Sequence, residues 1–277
     1  MDAVINRPLS IGRVALTVQD LDRVSSFYQD VVGFRLLASD AVSVQLGTGS
    51  KMLLELRHDS QARWRSARDA GLYHVAFLLP SRSDLGCFYQ HAQSRRLNVR
   101  TSDHAVSESV YFVDPEGNGI ELCADRRSSD WKWDDGTVEM TIDWLNIDSL
   151  LESAAGREWR GLPEGTVVGH LNLQVGDLSA AEAFYAGVLG FDITCRLPGA
   201  SFFASGGYHH HIATNVWNSN GAAVRPSPVT GLADIEVVAA SEAVLDAVRS
   251  RVASQGGSAR VTVRDPWGTS ITLTVAG

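Results

Sequence analysis

The sequence predicts an α+β protein of four βαβββ modules, arranged as two tandem pairs that form two half-open, barrel-like sheets. Two internal repeats carry this prediction. Residues 169–191 repeat residues 12–34 at a constant offset of 157, with an Asp-Leu step, a Phe-Tyr pair and a Gly-Phe ending at matching positions. In the second repeat, GLADIEVVA matches GLYHVAFLL, and the turn at 265–268 matches the Asp-Pro-x-Gly turn at 114–117. A match at a fixed period indicates repeated architecture more firmly than any single propensity does.

The first module, residues 11–57, begins with IGRVALTV, whose alternating apolar residues are typical of a strand. A helix follows, because Asp20 is placed to be its N-cap, apolar residues recur at helical spacing, and Gly33 ends it. SVQLGTG and KMLLEL then predict a strand pair around a glycine-containing turn.

The second module, residues 71–125, repeats this plan. YHVAFLLP predicts a buried strand, and a helix is expected over about 83–96. Three short strands are expected at about 97–101, 109–113 and 119–124, and the turn DPEGNG joins the last two.

The repeats also predict the domain organisation. Residues 1–125 form the first pair of modules and residues 167–277 the second pair. Residues 126–166 differ in character, since they begin with the polar, tryptophan-bearing stretch DRRSSDWKWDDGT. We expect this segment to be a long connector that packs on the surface and is helical up to about residue 155.

Composition excludes several classes of protein. A length of 277 residues predicts about two domains. The net charge of −8 argues against a nucleic-acid partner, and no apolar run is long enough to span a membrane. The start MDAVINRPLS lacks the basic and apolar regions of a signal peptide, and three widely spaced cysteines argue against a disulfide framework. The expectation is therefore a cytoplasmic protein.

His74 is the ionisable residue within the buried strand of the second module, and Glu121 lies at the start of a later apolar strand. A histidine and a carboxylate on neighbouring buried strands are costly unless something compensates them, and a metal ion would do so. For a single buried histidine, a hydrogen-bonded core residue is the commoner case. The metal interpretation therefore needs a third ligand.

The segments DHAVSESVYFVDPEGNGIELCADR and GGYHHHIATNVW, set within these repeats, resemble the vicinal oxygen chelate superfamily of glyoxalase I, resistance proteins and type I extradiol dioxygenases. Within it they look like the Bacillus-type catechol 2,3-dioxygenases, and the resemblance covers nearly the whole chain. It implies that two modules pair into a half-open barrel around one metal ion. Ligands then come from the first strand of each module and from the last strand of one or both.

Aligning the modules assigns residues to these positions. The first-strand positions hold Arg13, His74, His170 and Asp234, and the last-strand positions hold Glu55, Glu121, the run His209–His211 and Thr272. Only the second and third modules carry a full ligand set. Arginine cannot serve as a ligand, so the other two modules are interpreted as structural, with a second ion at Glu55 and Asp234 left as an alternative.

His74, His170 and Glu121 are therefore the predicted metal ligands. Two histidines and one carboxylate with open positions are typical of non-haem Fe(II) oxygenases, and Mn(II) is an alternative ion. These ligands converge only if the second module pairs with the third and the first with the fourth, as in fused glyoxalases. We therefore place the metal site between modules 72–125 and 167–217.

The resemblance also implies roles for residues around the metal. His210 fits the pattern His-x-hydrophobe-Ala of an acid–base catalyst with a near-neutral pKa, Tyr111 would hydrogen-bond the substrate, and His104 would contact the catecholic hydroxyl. The remaining candidates for the substrate pocket are His209, His211, Trp217 and Phe202. His209 and His211 are expected on the opposite face of a strand, lining the cavity mouth or bridging to solvent. A run of three histidines is also typical of a solvated strand end, and a tyrosine of an ordinary cross-strand aromatic.

The function that the resemblance implies is extradiol cleavage of a catechol by O₂ at a mononuclear non-haem Fe(II) site. The partners would be the small-molecule catechol and O₂, and free sheet edges allow a homo-oligomer. Two other functions of the superfamily stay open. One is a glyoxalase-type, metal-dependent isomerase, and the other is a resistance-type protein that binds a small molecule.

Overall fold

Two curved sheets of seven and eight strands, flanked by few helices, carry the fold. The structure, a computed structural model, describes residues 7–252 and 260–276. Most of the N-terminal stretch on which we based the expectation of no signal peptide lies outside the described residues. The predicted α+β class and the two curved sheets are confirmed, and the first three modules have the predicted βαβββ order, whereas the described residues of the fourth give the order βαββ.

The first module follows the predicted plan. Its elements are β1 (Leu9–Val18), α1 (Leu21–Phe27) with a π-helical continuation (Tyr28–Val32), β2 (Arg35–Ser39), β3 (Ser43–Thr48) and β4 (Lys51–His58). The Asp20 side chain accepts a hydrogen bond from the backbone N–H of Arg23 and so caps α1 as predicted. Gly33 ends the helical segment with a φ of 91°, a conformation that glycine adopts without strain.

The second module places its helix and strands within a few residues of the predicted positions. Its elements are β5 (Gly71–Leu78), α2 (Arg82–Ser94), β6 (Arg100–Asp103), β7 (Ser107–Val113) and β8 (Gly119–Asp125). The Ser81 hydroxyl caps α2 by accepting from the N–H of Asp84. The turn between β7 and β8 is tied by Asp114, which accepts from the backbone N–H groups of Glu116 and Asn118.

The connector is less helical than expected. Its elements are a 3₁₀ turn (Ser128–Asp130), the short strands β9 (Trp133–Asp134) and β10 (Thr137–Val138), and the helix α3 (Ile147–Ala154). Leu150 is buried, and the Ser149 carbonyl accepts from the guanidinium of Arg82 on α2. The connector is therefore partly integrated into the core, because its apolar residues pack against the second module.

The third and fourth modules repeat the first two. Their elements are β11 (Val167–Gln174), α4 (Leu178–Glu182) with a π-helical continuation (Ala183–Val188), β12 (Asp192–Leu197), β13 (Ala200–Ala204), β14 (Ile212–Asn215), β15 (Gly231–Ala239), α5 (Glu242–Arg251), β16 (Arg260–Arg264) and β17 (Ser270–Val275). Asp177 caps α4 in the same way that Asp20 caps α1.

The modules pair across the chain instead of in sequence. The seven-stranded sheet has the order β16-β17-β15-β1-β4-β3-β2, so it joins the fourth module to the first. The eight-stranded sheet has the order β12-β13-β14-β11-β5-β8-β7-β6, so it joins the third module to the second. The central pairs β1–β15 and β5–β11 are both antiparallel. This strand pairing is the one that the predicted ligand distribution required.

Two buried tyrosines link the sheets. Tyr28 after α1 donates to Asp114 in the turn of the second module, and Tyr185 after α4 donates to Asp265 in the turn of the fourth. These residues are the Phe-Tyr and Asp-Pro-x-Gly repeats of the sequence. The repeats are thus explained by contacts between modules that are neighbours in the chain but lie in different sheets.

One large hydrophobic cluster draws residues from all four modules, and a smaller one lies around Tyr208 and Phe202. All three cysteines are buried and free, as expected for core residues. Within the described residues, no helix is both long and apolar enough to cross a membrane.

Candidate active site

The strand registers define equivalent positions in the two halves of the eight-stranded sheet. On β5, the residue two positions after His74 is Ala76, which pairs with Glu121 on the parallel strand β8. On β11, the residue two positions after His170 pairs with Ala213 on the parallel strand β14. The last-strand position of the third module therefore holds Ala213.

This position corrects the assignment of the run His209–His211 to the last strand of the third module. The three histidines precede β14, which begins at Ile212. Periodicity alone did not fix where the strand starts, because β14 has only four residues, two of them apolar, and no turn signal separates it from the histidines.

Three donors converge at the centre of the sheet. The Nε2 atoms of His74 and His170 each lie 3.0 Å from the same Oε2 atom of Glu121. Within the described residues, this is the one group of three histidine, cysteine or acidic side chains whose ligand atoms all lie within 4.8 Å of one another. The three side chains are almost fully buried, and the hydroxyl of Ser109 donates to the other carboxylate oxygen at 2.5 Å.

The electrostatics keep these groups in the form that a metal needs. Burial alone would raise the pKa of Glu121, but the neighbouring rings of His170 and His74 hold it well below its ordinary value. Burial lowers the pKa of His74, although Glu121 opposes the shift. An ionised carboxylate and a neutral imidazole are the protonation states in which these residues ligate.

The donor set fits a divalent ion. Metal bonds to histidine nitrogen and carboxylate oxygen are about 2.0–2.2 Å long, so two donors at a right angle lie roughly 3 Å apart. The observed spacing of 3.0 Å between each Nε2 and the carboxylate oxygen agrees with this. Since Ala213 offers no ligand atom, a metal held by His74, His170 and Glu121 would keep open positions.

Gly119 explains how β8 approaches β5 closely enough to form the site. A Cβ atom at this position would lie 2.0 Å from the carbonyl oxygen of Tyr73 and 3.0 Å from the Cβ of His74. Any side chain here would push the strand that carries Glu121 away from His74. The close approach of the three donors therefore requires a glycine at position 119.

Tyr111 and His104 lie together on one side of the three donors. Tyr111 pairs with Glu121 across β7 and β8, and its ring centroid is 5.3 Å from that of His74. Its hydroxyl lies 2.7 Å from Nε2 of His104, whose Nδ1 lies 2.7 Å from the carbonyl oxygen of Thr141. Because the carbonyl can only accept, Nδ1 carries the proton and Nε2 accepts from the tyrosine. Burial, aided by the charge of Glu121, raises the pKa of Tyr111 well above its ordinary value.

His210 lies on the other side and lines the cavity. Its ring centroid is 4.1 Å from that of His170 and 5.2 Å from that of Phe202. Burial lowers the pKa of His210 well below its ordinary value, and the neighbouring His170 and His209 add to the shift. The direction of this shift differs from the near-neutral pKa expected from the sequence, and it favours the unprotonated imidazole.

Contrary to our expectation, His209 and His211 neither line the cavity mouth nor bridge to solvent. Both side chains are buried, and both residues precede strand β14 instead of lying on one of its faces. His209 Nδ1 is 2.7 Å from His210 Nδ1, and its Nε2 is 3.0 Å from a carboxylate oxygen of Asp125. His211 Nδ1 accepts from the backbone N–H of Ser205. Asp125 was not singled out from the sequence, because nothing local signals its contact with a residue 84 positions away.

The donors open into a cavity of about 840 Å³. Trp217 and Phe202 line it, as do Met140, Ile142 and Trp144 of the connector. The expectation that the connector only packs on the surface is therefore corrected, because residues 140–144 form a wall of the cavity. The polar start of the connector gave no hint of these apolar residues' role.

The fold and the position of the three donors define a known class. The sequence model of the glyoxalase/bleomycin resistance protein/dioxygenase superfamily matches residues 10–122 and 167–274, and the chain belongs to this superfamily. The chain is similar in fold to glyoxalase I from Zea mays, with a TM-score of 0.57 and 15% identity over 96% of this chain and 92% of that one.

Two relatives have a higher sequence identity to this chain. A catechol-2,3-dioxygenase of Bacillus subtilis (strain 168) is 39% identical over 272 residues, which are 95% of each chain. A biphenyl-2,3-diol 1,2-dioxygenase of Rhodococcus globerulus is 23% identical over 190 residues, 67% of this chain and 87% of that one. These likenesses support a dioxygenase-type enzyme.

Proposed function

We propose that the protein cleaves the ring of a catechol next to its diol, using O₂ at a mononuclear non-haem Fe(II) site held by His74, His170 and Glu121. The observation that carries this proposal is the convergence of two imidazoles and one carboxylate, with Ala213 offering no ligand atom at the equivalent last-strand position of the third module. Such a set leaves the open positions that two substrates need. When bound, the ion supplies the chemistry of oxygen activation and lowers the pKa of a coordinated hydroxyl. Mn(II) is the alternative ion.

His210 is proposed as the acid–base catalyst. It lines the cavity beside His170, and a neutral imidazole in this position has a lone pair that can take a proton from a catechol hydroxyl. The same nitrogen returns the proton to the ring-opened product, since an imidazole both accepts and donates.

Tyr111 is proposed to bind the substrate with His104 behind it. The tyrosine proton is directed to Nε2 of His104, so the phenolic oxygen presents lone pairs to the cavity. A catechol hydroxyl can therefore donate to Tyr111 while the opposite side of the diol faces His210. In this arrangement His104 orients Tyr111 and does not itself contact the diol.

The cavity supports a catechol with an apolar ring substituent. A volume of about 840 Å³ lies in the range of pockets that hold drug-sized ligands. Its lining includes the aromatic side chains of Phe202, Trp217 and Trp144. The relative that is named for biphenyl-2,3-diol is consistent with a substrate of this size.

The test is to load the purified protein with Fe(II) under anaerobic conditions and to add catechol and its alkyl and aryl derivatives. We expect O₂ uptake in step with a yellow ring-opened semialdehyde. Protein loaded with Zn(II) is the matched control and should consume no O₂. Absence of both O₂ uptake and yellow product across the panel would overturn the proposal.

The structure weighs against the other two functions of the superfamily. A glyoxalase-type isomerase has carboxylates at two last-strand positions, and Ala213 occupies the second one here. A resistance-type binding protein has no need for a buried, ionised Glu121 between two histidines. Metal analysis separates them, because zinc or nickel would favour the isomerase and an absence of metal would favour the binding protein.

A further inference from the structure

We propose that Asp125 and His209 are positioning residues that fix the tautomer and orientation of His210, so that His210 presents the lone pair of Nε2 to the cavity. The inference rests on the proposed role of His210 in catalysis. Its geometry stands by itself, because the three side chains form a continuous hydrogen-bonded chain from a carboxylate to the cavity wall.

The tautomers follow from the order of the contacts. Asp125 Oδ1 lies 3.0 Å from His209 Nε2, and a carboxylate can only accept, so Nε2 carries the proton of the neutral His209 ring. His209 Nδ1 is then bare, and it lies 2.7 Å from His210 Nδ1. A hydrogen bond between these atoms needs one proton, which His210 must supply from Nδ1. Nε2 of His210 is consequently the nitrogen with the free lone pair.

The surroundings leave this chain little freedom. His209 is completely buried, and its backbone carbonyl accepts from the hydroxyl of Thr194 at 2.6 Å. Asp125 is held by a second bond, from the hydroxyl of Tyr208 to Oδ2 at 2.8 Å. Because water does not reach His209, the opposite tautomer would leave two N–H groups or two lone pairs facing each other in the core, which is costly.

The hydrogen-bonded chain matters for the chemistry because it decides which nitrogen of His210 can accept a proton. In the opposite tautomer Nε2 of His210 would carry a proton and could not accept one from a bound hydroxyl. In the reaction a proton that Nε2 takes up leaves the Nδ1–H bond to His209 unbroken, so the ring stays in place until it returns the proton.

The tautomers of His209 and His210 are observed directly in long-range ¹⁵N–¹H correlation spectra of protein with ¹⁵N-labelled histidine rings. Metal-free and Zn(II)-loaded protein are measured at mildly alkaline pH, where the rings are neutral. We expect a protonated Nδ1 and a bare Nε2 for His210, and the reverse for His209, with signals assigned from the single variants. A protonated Nε2 on His210 would overturn the inference whatever the protein catalyses.

Two substitutions of His209 separate positioning from a structural role. In His209→Asn the amide oxygen overlays Nδ1 and can still accept from His210, while the bond to Asp125 is lost. In His209→Gln the amide nitrogen overlays Nε2 and keeps the bond to Asp125, while the acceptor for His210 is lost. A merely structural histidine would favour the glutamine variant, since it retains more volume and the bond to the buried carboxylate.

We expect kcat on a catechol to fall about 10- to 100-fold in His209→Gln, with KM within about threefold, because a positioned acid–base group contributes roughly 10²–10⁴. His209→Asn should retain at least about tenfold more of kcat than His209→Gln. Equal or higher kcat in the glutamine variant would overturn the positioning role. If wild-type protein consumes no O₂, the proposed function fails, and the tautomer spectra still decide this inference.

A second matched pair of variants tests the role of the Asp125 carboxylate. Asp125→Ala removes the acceptor for His209 and should convert the ring signals of His209 to a mixture of tautomers. Tyr208→Phe removes the other bond to the same carboxylate and should leave the His209 and His210 tautomers unchanged. Unchanged spectra in Asp125→Ala would show that Asp125 has no part in the chain.

Discussion

The two sheets have the same four strand positions but fill them with different charged side chains. In the eight-stranded sheet these positions hold His74, Glu121, His170 and Ala213. In the seven-stranded sheet the same registers give Arg13, Glu55, Asp234 and Thr272. One sheet thus has a carboxylate between two imidazole rings, whereas the other has two carboxylates around a guanidinium.

Arg13 supplies from the chain itself the positive charge that the other sheet lacks. Its guanidinium nitrogens lie 2.9 Å from Glu55 and 3.8 Å from Asp234, and Thr272 donates to Asp234 at 3.0 Å. The comparison teaches that the same frame of paired parallel strands buries carboxylate charge in both sheets. Arg13 supplies the compensating cation in the seven-stranded sheet, and the proposed metal ion would supply it in the eight-stranded one.

The largest effect is expected from removing the carboxylate of the proposed metal site. Glu121→Gln should abolish retention of one divalent ion per chain and lower kcat/KM more than about 1000-fold, since the ion stabilises charge by several kcal/mol. Metal content by mass spectrometry and O₂ uptake measure the two effects. Glu55→Gln is the matched control in the other sheet and should keep the metal. Equal metal content in both variants would break the comparison.

Removing the guanidinium tests the other half. Arg13→Met leaves the buried Asp234 without its cation and leaves Glu55 with Arg57 alone, and breaking such a buried pair costs about 3–5 kcal/mol. Denaturant unfolding of the metal-free protein should show this loss, while the metal content stays unchanged. Adding Glu55→Gln and Asp234→Asn to Arg13→Met should recover part of the stability. A loss below about 1 kcal/mol would mean that Arg13 does not compensate these carboxylates.

The hydrogen bond from Ser109 sharpens the account of the metal site. Its hydroxyl donates at 2.5 Å to the oxygen of Glu121 that faces away from the histidines, and so orients the carboxylate. Ser109→Ala should weaken metal binding about 10- to 100-fold, the usual cost of losing such a supporting contact. Competition with a chelator of known affinity measures the change. Ser102→Ala, at a buried serine on β6, is the control and should not alter the affinity.

The sequence was enough to predict which strand positions carry the site residues. It was not enough to predict the contacts that support those residues from other parts of the chain. The repeats located Arg13, His74, His170 and Asp234 because the modules align without gaps at their first strands. They also located Glu121, whose position relative to His74 is set by the register of parallel strands.

The contact between Asp125 and His209 could not be predicted in the same way. It joins residues 84 positions apart whose side chains meet only after the third module has packed against the second. The wall formed by Met140 and Trp144 was missed for a related reason. A connector has no repeat partner, so neither periodicity nor alignment shows which of its residues face a cavity.

The smallest effect is expected at Thr272, the counterpart of Glu121 in the module repeat, since each lies seven residues after the Asp of its Asp-Pro-x-Gly turn. Thr272→Val keeps the shape of the side chain but removes the bond to Asp234, at a cost of about 1 kcal/mol because Arg13 continues to compensate the carboxylate. Thr272→Ser keeps the hydroxyl and should recover most of this loss in denaturant unfolding. Neither substitution should change the metal content. If Thr272→Val lowered metal binding instead, the two sheets would be energetically coupled, and their separate roles in holding a cation would have to be abandoned.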